Sequence, residues 1–246
     1  MRLELTFELD KAELPKDNKS IWISYLKNAM TYCADGKFYD EYFSSGKAKD
    51  YAFSIILSKP NFINDKIVLQ DNHVKMLFSA DDRYKTGFVF YSAFIANKNK
   101  RFFLPNKNAM TLKGIRNLSE QKIMNKQVIF KTVTGGGLVI REHNREKNID
   151  TYYTCEDKDF GTQAERVVKQ QVIAAGFSKM KAEHVKITPL KCKKIVVKHY
   201  GIYVNVTIGF FAVEADTDIL QYFYQAGMGS KHSMGYGMMD IVEQVV

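Results

Sequence analysis

The order of strand and helix signals predicts an α+β chain built of two tandem split β-α-β units. Three observations carry that expectation. The first ten residues alternate as a strand does, a helical stripe follows, and the same order of signals returns after about residue 120.

Leu3, Leu5, Phe7 and Leu9 alternate with Arg2, Glu4, Thr6 and Glu8, the pattern of a half-buried strand. After a turn at 15–18, Trp22, Leu26, Ala29 and Cys33 share one face of a helix over 20–33, which Gly36 ends. A second short helix is expected over 38–43. Extended segments follow at 51–57, 66–70 and 73–78, then a helix from 82 to about 97 and a strand near 110–115. That order is the ferredoxin-like, RRM-like arrangement.

The second half reads the same way. Residues 128–132, 138–141 and 152–154 look extended, and Thr162 with Glu165 reads as a capping box opening a helix. Val168, Val172 and Ala175 mark its buried face, and Gly176 suits its stop. In the hairpin that follows, Ile202, Val204, Val206 and Ile208 alternate with Tyr203, Asn205 and Thr207, and a short helix spans about 217–226. Two ferredoxin-like domains are therefore expected, over 1–120 and 121–246, although no sequence repeat relates them.

An apolar fraction of 46% and a charged fraction of 26% exclude collagen-like, mucin-like and broadly disordered chains. The apolar run from Ile208 to Val213 is far short of the roughly 20 residues of a membrane-spanning helix. The alternating N-terminus has no signal-peptide pattern, and three scattered cysteines (Cys33, Cys155, Cys192) make no disulfide framework. A reducing cytoplasm, with no membrane, is the expected setting.

Thirty-six basic residues against 27 acids give a net charge of +9, which favours a polyanionic partner. The excess is local. Six basic residues (Lys98, Lys100, Arg101, Lys107, Lys113, Arg116) lie between 97 and 118 without an acid. Six lysines (Lys181, Lys186, Lys191, Lys193, Lys194, Lys198) lie between 181 and 200 with only Glu183. Phe102, Phe103, Tyr200 and Tyr203 sit among or beside these runs, and cations beside stacking rings suit single-stranded RNA. The plain alternative is two solvated faces.

The segment 226–237 is the most informative. Gly227, Gly229, Gly235 and Gly237 bracket Ser230, Lys231, His232 and Ser233. Glycines admit positive φ and let amides approach phosphate oxygens, and Lys231 adds a full charge. A Walker loop is excluded because the last glycine precedes Tyr236, and a dinucleotide fingerprint because the cluster follows a helix near the chain's end. A hairpin with glycine turns is the competing reading.

This segment resembles the glycine-rich loop of the CRISPR-associated RAMP superfamily, and specifically of its repeat-processing endoribonucleases, the Cas6 family. Residues 39–43 (Tyr-Asp-Glu-Tyr-Phe) and 46–54 (Gly-Lys-Ala-Lys-Asp-Tyr-Ala-Phe-Ser) resemble that family's short helix, basic loop and following strand. Residues 130–134 and 139–144 are similar to the stretch opening its second domain.

The resemblance implies binding of CRISPR repeat RNA and a cut that needs neither metal nor cofactor, leaving a 2′,3′-cyclic phosphate and a 5′-hydroxyl. The substrate's own 2′-hydroxyl attacks, so the protein must accept a proton, donate one and stabilise the phosphorane. The five histidines and three cysteines show no metal-ligand spacing. Many members place a histidine before the basic loop, whereas Asp40 to Tyr51 contains none. Lys49, with Lys47 close behind, is then the expected cation on the phosphorane, and Tyr42 or Tyr39 the group that orients or protonates an oxygen. His143, in a segment resembling a bacterial branch, is the favoured base. Expected RNA contacts are Gly227, Gly229, Ser230, Lys231, His232, Ser233, Gly235 and Gly237, with Lys191, Lys193 and Lys194. The alternative is a non-catalytic RNA-binding subunit of a CRISPR effector complex, partnered by its other subunits. The sequence leaves a homodimer open.

Overall fold

Leu3, Leu5, Phe7 and Leu9 are all enclosed, so the first strand is the centre of a sheet and not its edge. The computed structural model describes residues 1–45 and 48–245. Its first half comprises β1 (Arg2–Leu9), β2 (Glu13–Pro15), α1 (Lys19–Thr31), β3 (Tyr51–Leu57), β4 (Asn61–Ile63) and β5 (Lys66–Val68). Then come β6 (His73–Ala80), α2 (Thr86–Asn97), β7 (Arg101–Leu104) and β8 (Asn108–Leu118). Antiparallel pairing gives the order β3-β6-β1-β8-β7.

Helix α1 packs on the sheet's apolar face: the Trp22 and Tyr25 rings meet Phe7 edge-on, with centroids 5.1 and 4.9 Å away. Each such ring contributes about 1.5–3 kcal/mol by burial. Two expectations change here. Residues 66–68 leave the main sheet for a small one, β2-β5-β4. The short helix after Gly36 is a single π-helical turn, Asp40–Ser44.

The second half comprises β9 (Gln127–Thr132), β10 (Ile140–Asn144), β11 (Ile149–Tyr153), α3 (Phe160–Ala174), α4 (Lys179–Glu183) and β12 (Lys186–His199). It ends with β13 (Ile202–Glu214), α5 (Thr217–Ala226) and β14 (Met239–Val245). The main sheet runs β12-β13-β9-β14, the same winding as the first, and β10-β11 is a separate hairpin inserted before α3. The capping box fails. Phe160, 2% exposed, joins Ala164, Val167 and Val168 on the buried face and starts α3 before Thr162. Glu165 instead accepts the Ile187 amide of β12 at 3.4 Å.

Candidate functional site

Helix α5 stops at Gly227, where φ turns to +85°, and the chain crosses to β14 through the glycine-rich loop. All four loop glycines are buried, facing protein instead of the surface. A Cβ on Gly227 would lie 2.7 Å from that of Ala52 in β3, and one on Gly237 would lie 2.3 Å from the Met228 carbonyl. The Met228 amide donates to the Gly237 carbonyl at 2.8 Å, closing the loop, and the Ser230 amide donates to the Val139 carbonyl. The glycines thus answer close packing between the two halves of the chain.

His232 also turns inward. It is 9% exposed, its Nδ1 lies 2.9 Å from the Tyr51 carbonyl, and burial lowers its pKa. Of the eight loop residues expected to meet RNA, Ser230, Lys231 and Ser233 reach the surface. His232–Met234 form a single 3-10 turn, closed by the Met234 amide on the Lys231 carbonyl at 2.9 Å, with Lys231 and Ser233 on its outer side.

The β10-β11 hairpin flanks Lys231. Pairing places His143 opposite Asp150 and Arg141 opposite Tyr152. His143 Nδ1 lies 2.7 Å from Asp150 Oδ1, Arg141 donates to both Asp150 oxygens at 3.1 and 3.0 Å, and the Tyr152 hydroxyl donates at 3.1 Å. Burial raises the Asp150 pKa, but hydrogen bonds from His143, Arg141 and Tyr152 outweigh it and leave the carboxyl below its ordinary range. Burial and then the Arg141 charge push the Lys231 pKa down, against Asp150. A histidine oriented by a carboxylate, beside two cations, can move a proton next to a phosphate. Arg141, Asp150 and Tyr152 were missed in the sequence, although 141, 143, 150 and 152 fall on one face of two strands joined by a polar turn.

The basic loop lies elsewhere. The Lys49 amine donates to the Glu41 and Ser45 carbonyls at 3.2 and 3.1 Å, closing the π-turn. Tyr42 is 5% exposed, its hydroxyl lies 3.0 Å from the Thr86 hydroxyl, and burial pushes its pKa to about 12. Tyr39 leans on Phe43 with ring centroids 5.5 Å apart. Lys47 lies outside the described residues. Lys49, Tyr42 and Asp50 line a cavity of about 360 Å³ shared with Arg83, Tyr222 and the α3 end at Ala174–Gly176. Glu142, beside His143, pairs with Arg166 of α3 at 3.0 Å. From Arg166 to Ala174 is about 12 Å of helix at 1.5 Å per residue. The hairpin that carries His143 thus meets α3 at Arg166, whereas the cavity lined by Lys49 lies at that helix's end.

The two basic runs also separate. In the first, Arg101, Lys113 and Arg116 pair with Asp10, Glu8 and Glu4. In the second, a bulge between Pro189 and Cys192 sits over Gly209. Lys191 and Lys193 there line an open groove of about 600 Å³ with Lys131, Gly135 and Phe210. Lys194 points the other way, 3.7 Å from Glu156. Lys131 and Phe210, 5.3 Å apart as cation and ring, are not among the contacts expected from the sequence. Among the described residues, no three His, Cys, Asp or Glu side chains cluster as metal ligands, and no helix is long and apolar enough to cross a membrane.

A family model described as CRISPR-associated protein Cas6, C-terminal, matches residues 118–241. No curated protein matches the chain. Among solved structures, a RAMP protein described as binding different RNA substrates superposes with a TM-score of 0.79 at 19% identity, over 99% of this chain and 100% of that one. The product of a Cas6-related gene from Pyrococcus furiosus gives 0.82 at 17% identity, over 100% and 99%. A Cas6 product complex gives 0.66 at 9% identity, over 98% and 100%. These likenesses show the tandem ferredoxin-like fold.

Proposed function

The chain belongs to the Cas6 family of CRISPR-associated proteins, and from that premise we propose that it binds CRISPR repeat RNA and cuts precursor transcripts within each repeat. The observation that carries this reading is the His143–Asp150 pair set beside Lys231 and Arg141 at the rim of the glycine-rich loop. A similar fold in a RAMP protein described as binding RNA substrates supports it.

In the proposed step, the 2′-hydroxyl gives its proton to His143 Nε2 while Asp150 holds the ring. The O2′–P bond forms and the P–O5′ bond breaks, leaving a 2′,3′-cyclic phosphate. Lys231, its pKa lowered by burial and by Arg141, supplies the proton to the departing 5′-oxygen. Arg141 balances charge on the phosphorane. Lys191 and Lys193 hold the flanking backbone. Lys49 closes its own turn and takes a second place in this scheme.

One observation favours a second reading. Tyr42 is buried and Lys49 is engaged by backbone carbonyls, which suits a non-catalytic RNA-binding subunit of an effector complex. Incubating the protein in excess EDTA with repeat RNA, beside the same RNA carrying a 2′-deoxy at the cut, separates the two. Cleavage of the first substrate alone is expected. Tight binding with no product from either would support the platform; a cut deoxy substrate would discard the 2′-hydroxyl step.

A further inference from the structure

Lys19 opens helix α1 and is buried, 6% exposed. Its amine donates to the Gly235 carbonyl at 2.6 Å and to the Gly135 carbonyl at 3.1 Å, and lies 4.3 Å from the centre of the Tyr236 ring. Those contacts join the first half of the chain, the β9-β10 connection and the inner side of the glycine-rich loop. A Cβ at Gly235 would stand 3.1 Å from the same nitrogen, so the loop is moulded around it.

Beside this clasp sits His199, at the tip of the β12-β13 hairpin and 1% exposed. Neither of its ring nitrogens has a partner among the described residues, nor do the Tyr236 hydroxyl and Asp17 Oδ1. Burial, then the charges of Lys231 and Lys19, hold the imidazole neutral, with its pKa pushed down to about 4. Lys19 and Lys231 thus bear on one neutral ring, the first beneath the loop and the second at its surface. The titratable groups around the cluster are Asp17 at the start of α1, Tyr152 on β11, His199 and Tyr200 on the hairpin, and Lys231 and Tyr236 on the loop. From β3 and the β9-β10 connection, uncharged Phe53 and Gly135 complete it.

We propose that Lys19 is a positioning residue that couples RNA binding at the glycine-rich loop to the uptake of one proton. Phosphates arriving at Ser230, Lys231 and Ser233 draw a proton from solvent onto the Lys19 amine, and the resulting cation fixes the Gly235 carbonyl and the outer face of the loop. Burial pushes the Lys19 pKa down to about 7 in the free protein, so near pH 8 the amine is mostly neutral and free to take that proton. A buried charge that makes no salt bridge among the described residues acts on an incoming anion through low-dielectric surroundings. By linkage, RNA then binds more tightly as pH falls through this range. The coupling rests on RNA occupying the loop.

Calorimetric titration at pH 8 in two buffers of different ionisation enthalpy counts the protons taken up. The probe is repeat RNA from the encoding genome, with a 2′-deoxy at the cut. Wild-type protein is expected to take up close to one proton, a stoichiometry that histidines with ordinary pKa cannot supply at this pH. Lys19→Met should take up none and bind about tenfold more weakly, one pKa unit's equivalent. Lys19→Arg, always charged, should keep affinity without uptake. Unchanged uptake in Lys19→Met overturns the proposal. Should that variant not fold, the lysine Cε resonances of the wild-type protein decide: one titrating near pH 7 that moves upward with RNA supports the coupling, and none below pH 9 overturns it. Wild-type binding without uptake sinks the coupling alone; no RNA binding at all sinks the functional reading with it.

Discussion

The guanidinium of Arg2 reaches the other end of the chain, donating to Asp240 Oδ1 at 2.6 Å and to the Met239 carbonyl at 2.8 Å. It also covers the Tyr224 ring, 4.3 Å from its centre, and is 4% exposed. One buried cation therefore clamps β1 of the first sheet to β14 of the second. Arg2→Ala leaves a buried carbonyl unpaired and empties that space, at a cost of about 2–3 kcal/mol. Asp240 is half exposed and rehydrates, so Asp240→Asn should cost under about 1 kcal/mol. Urea unfolding measures both; equal losses would mean that the ion pair, and not the buried guanidinium, makes the clamp.

Gly237 tests why the loop is rich in glycine. At φ +67°, with the Met228 carbonyl 2.3 Å from any added Cβ, Gly237→Ala must move main chain. A loss of about 2–4 kcal/mol is expected from the left-handed backbone and the clash together. Lys231→Ala should leave stability within about 0.5 kcal/mol and reduce RNA affinity. Thermal unfolding and a binding titration on the two variants should move in opposite columns. A Gly237→Ala protein of normal stability would show that the glycines serve the ligand and not the packing.

The two basic runs make a paired comparison. Lys191 and Lys193 line an open groove, while Lys113 and Arg116 are matched by Glu8 and Glu4. Replacing Lys191 and Lys193 by alanine should flatten the dependence of log affinity on log salt by about 1.4, at roughly 0.7 per single-strand phosphate contact. Replacing Lys113 and Arg116 should change the slope by less than about 0.3. The reverse ranking would move the RNA to the first sheet.

His199 gives the fold an acid limit. Its folded pKa of about 4 lies below the ordinary imidazole value, so between pH 6.5 and 4 the unfolded chain binds more protons than the native one. Stability is whole above pH 6.5, falls as pH drops through that window, and levels off below 4. The loss is at most about 3–4 kcal/mol at 1.4 kcal/mol per pKa unit. His199→Phe should flatten that slope in urea titrations at pH 4, 5, 6 and 7; a slope unchanged by the substitution would place the acid sensitivity elsewhere.

Much of this architecture was legible because it follows from local periodicity. Leu3 to Leu9 alternate as they pack, β3 spans the expected 51–57, and α5 spans the expected 217–226. What depends on contacts distant in sequence was not legible. Burial of Phe160 against the second core moved the start of α3 ahead of a well-formed capping signal. Nothing local to 226–237 says that Gly227 and Gly235 face β3, or that Lys19, more than 200 residues away, supports the loop from below. The titratable pair beside the loop, His143 and Asp150, lies on β10 and β11, whose pairing only the register reveals.

That pairing yields the sharpest test of the site. If His143 moves the proton and Asp150 orients it, His143→Ala should slow single-turnover cleavage by about 10²–10⁴, the usual worth of general acid–base catalysis. Asp150→Asn keeps the shape but withdraws the charge that steadies the ring, so a smaller loss of about 10–100-fold is expected, with RNA affinity nearly unchanged. Lys49→Ala removes the amine from the Glu41 and Ser45 carbonyls and should lower the stability of the π-turn more than the rate. Rapid-quench assays at saturating protein separate rate from binding. If Lys49→Ala stops cleavage while His143→Ala leaves it intact, the reacting phosphate sits in the cavity beside Asp50 and Arg83, and the hairpin pair is a structural brace.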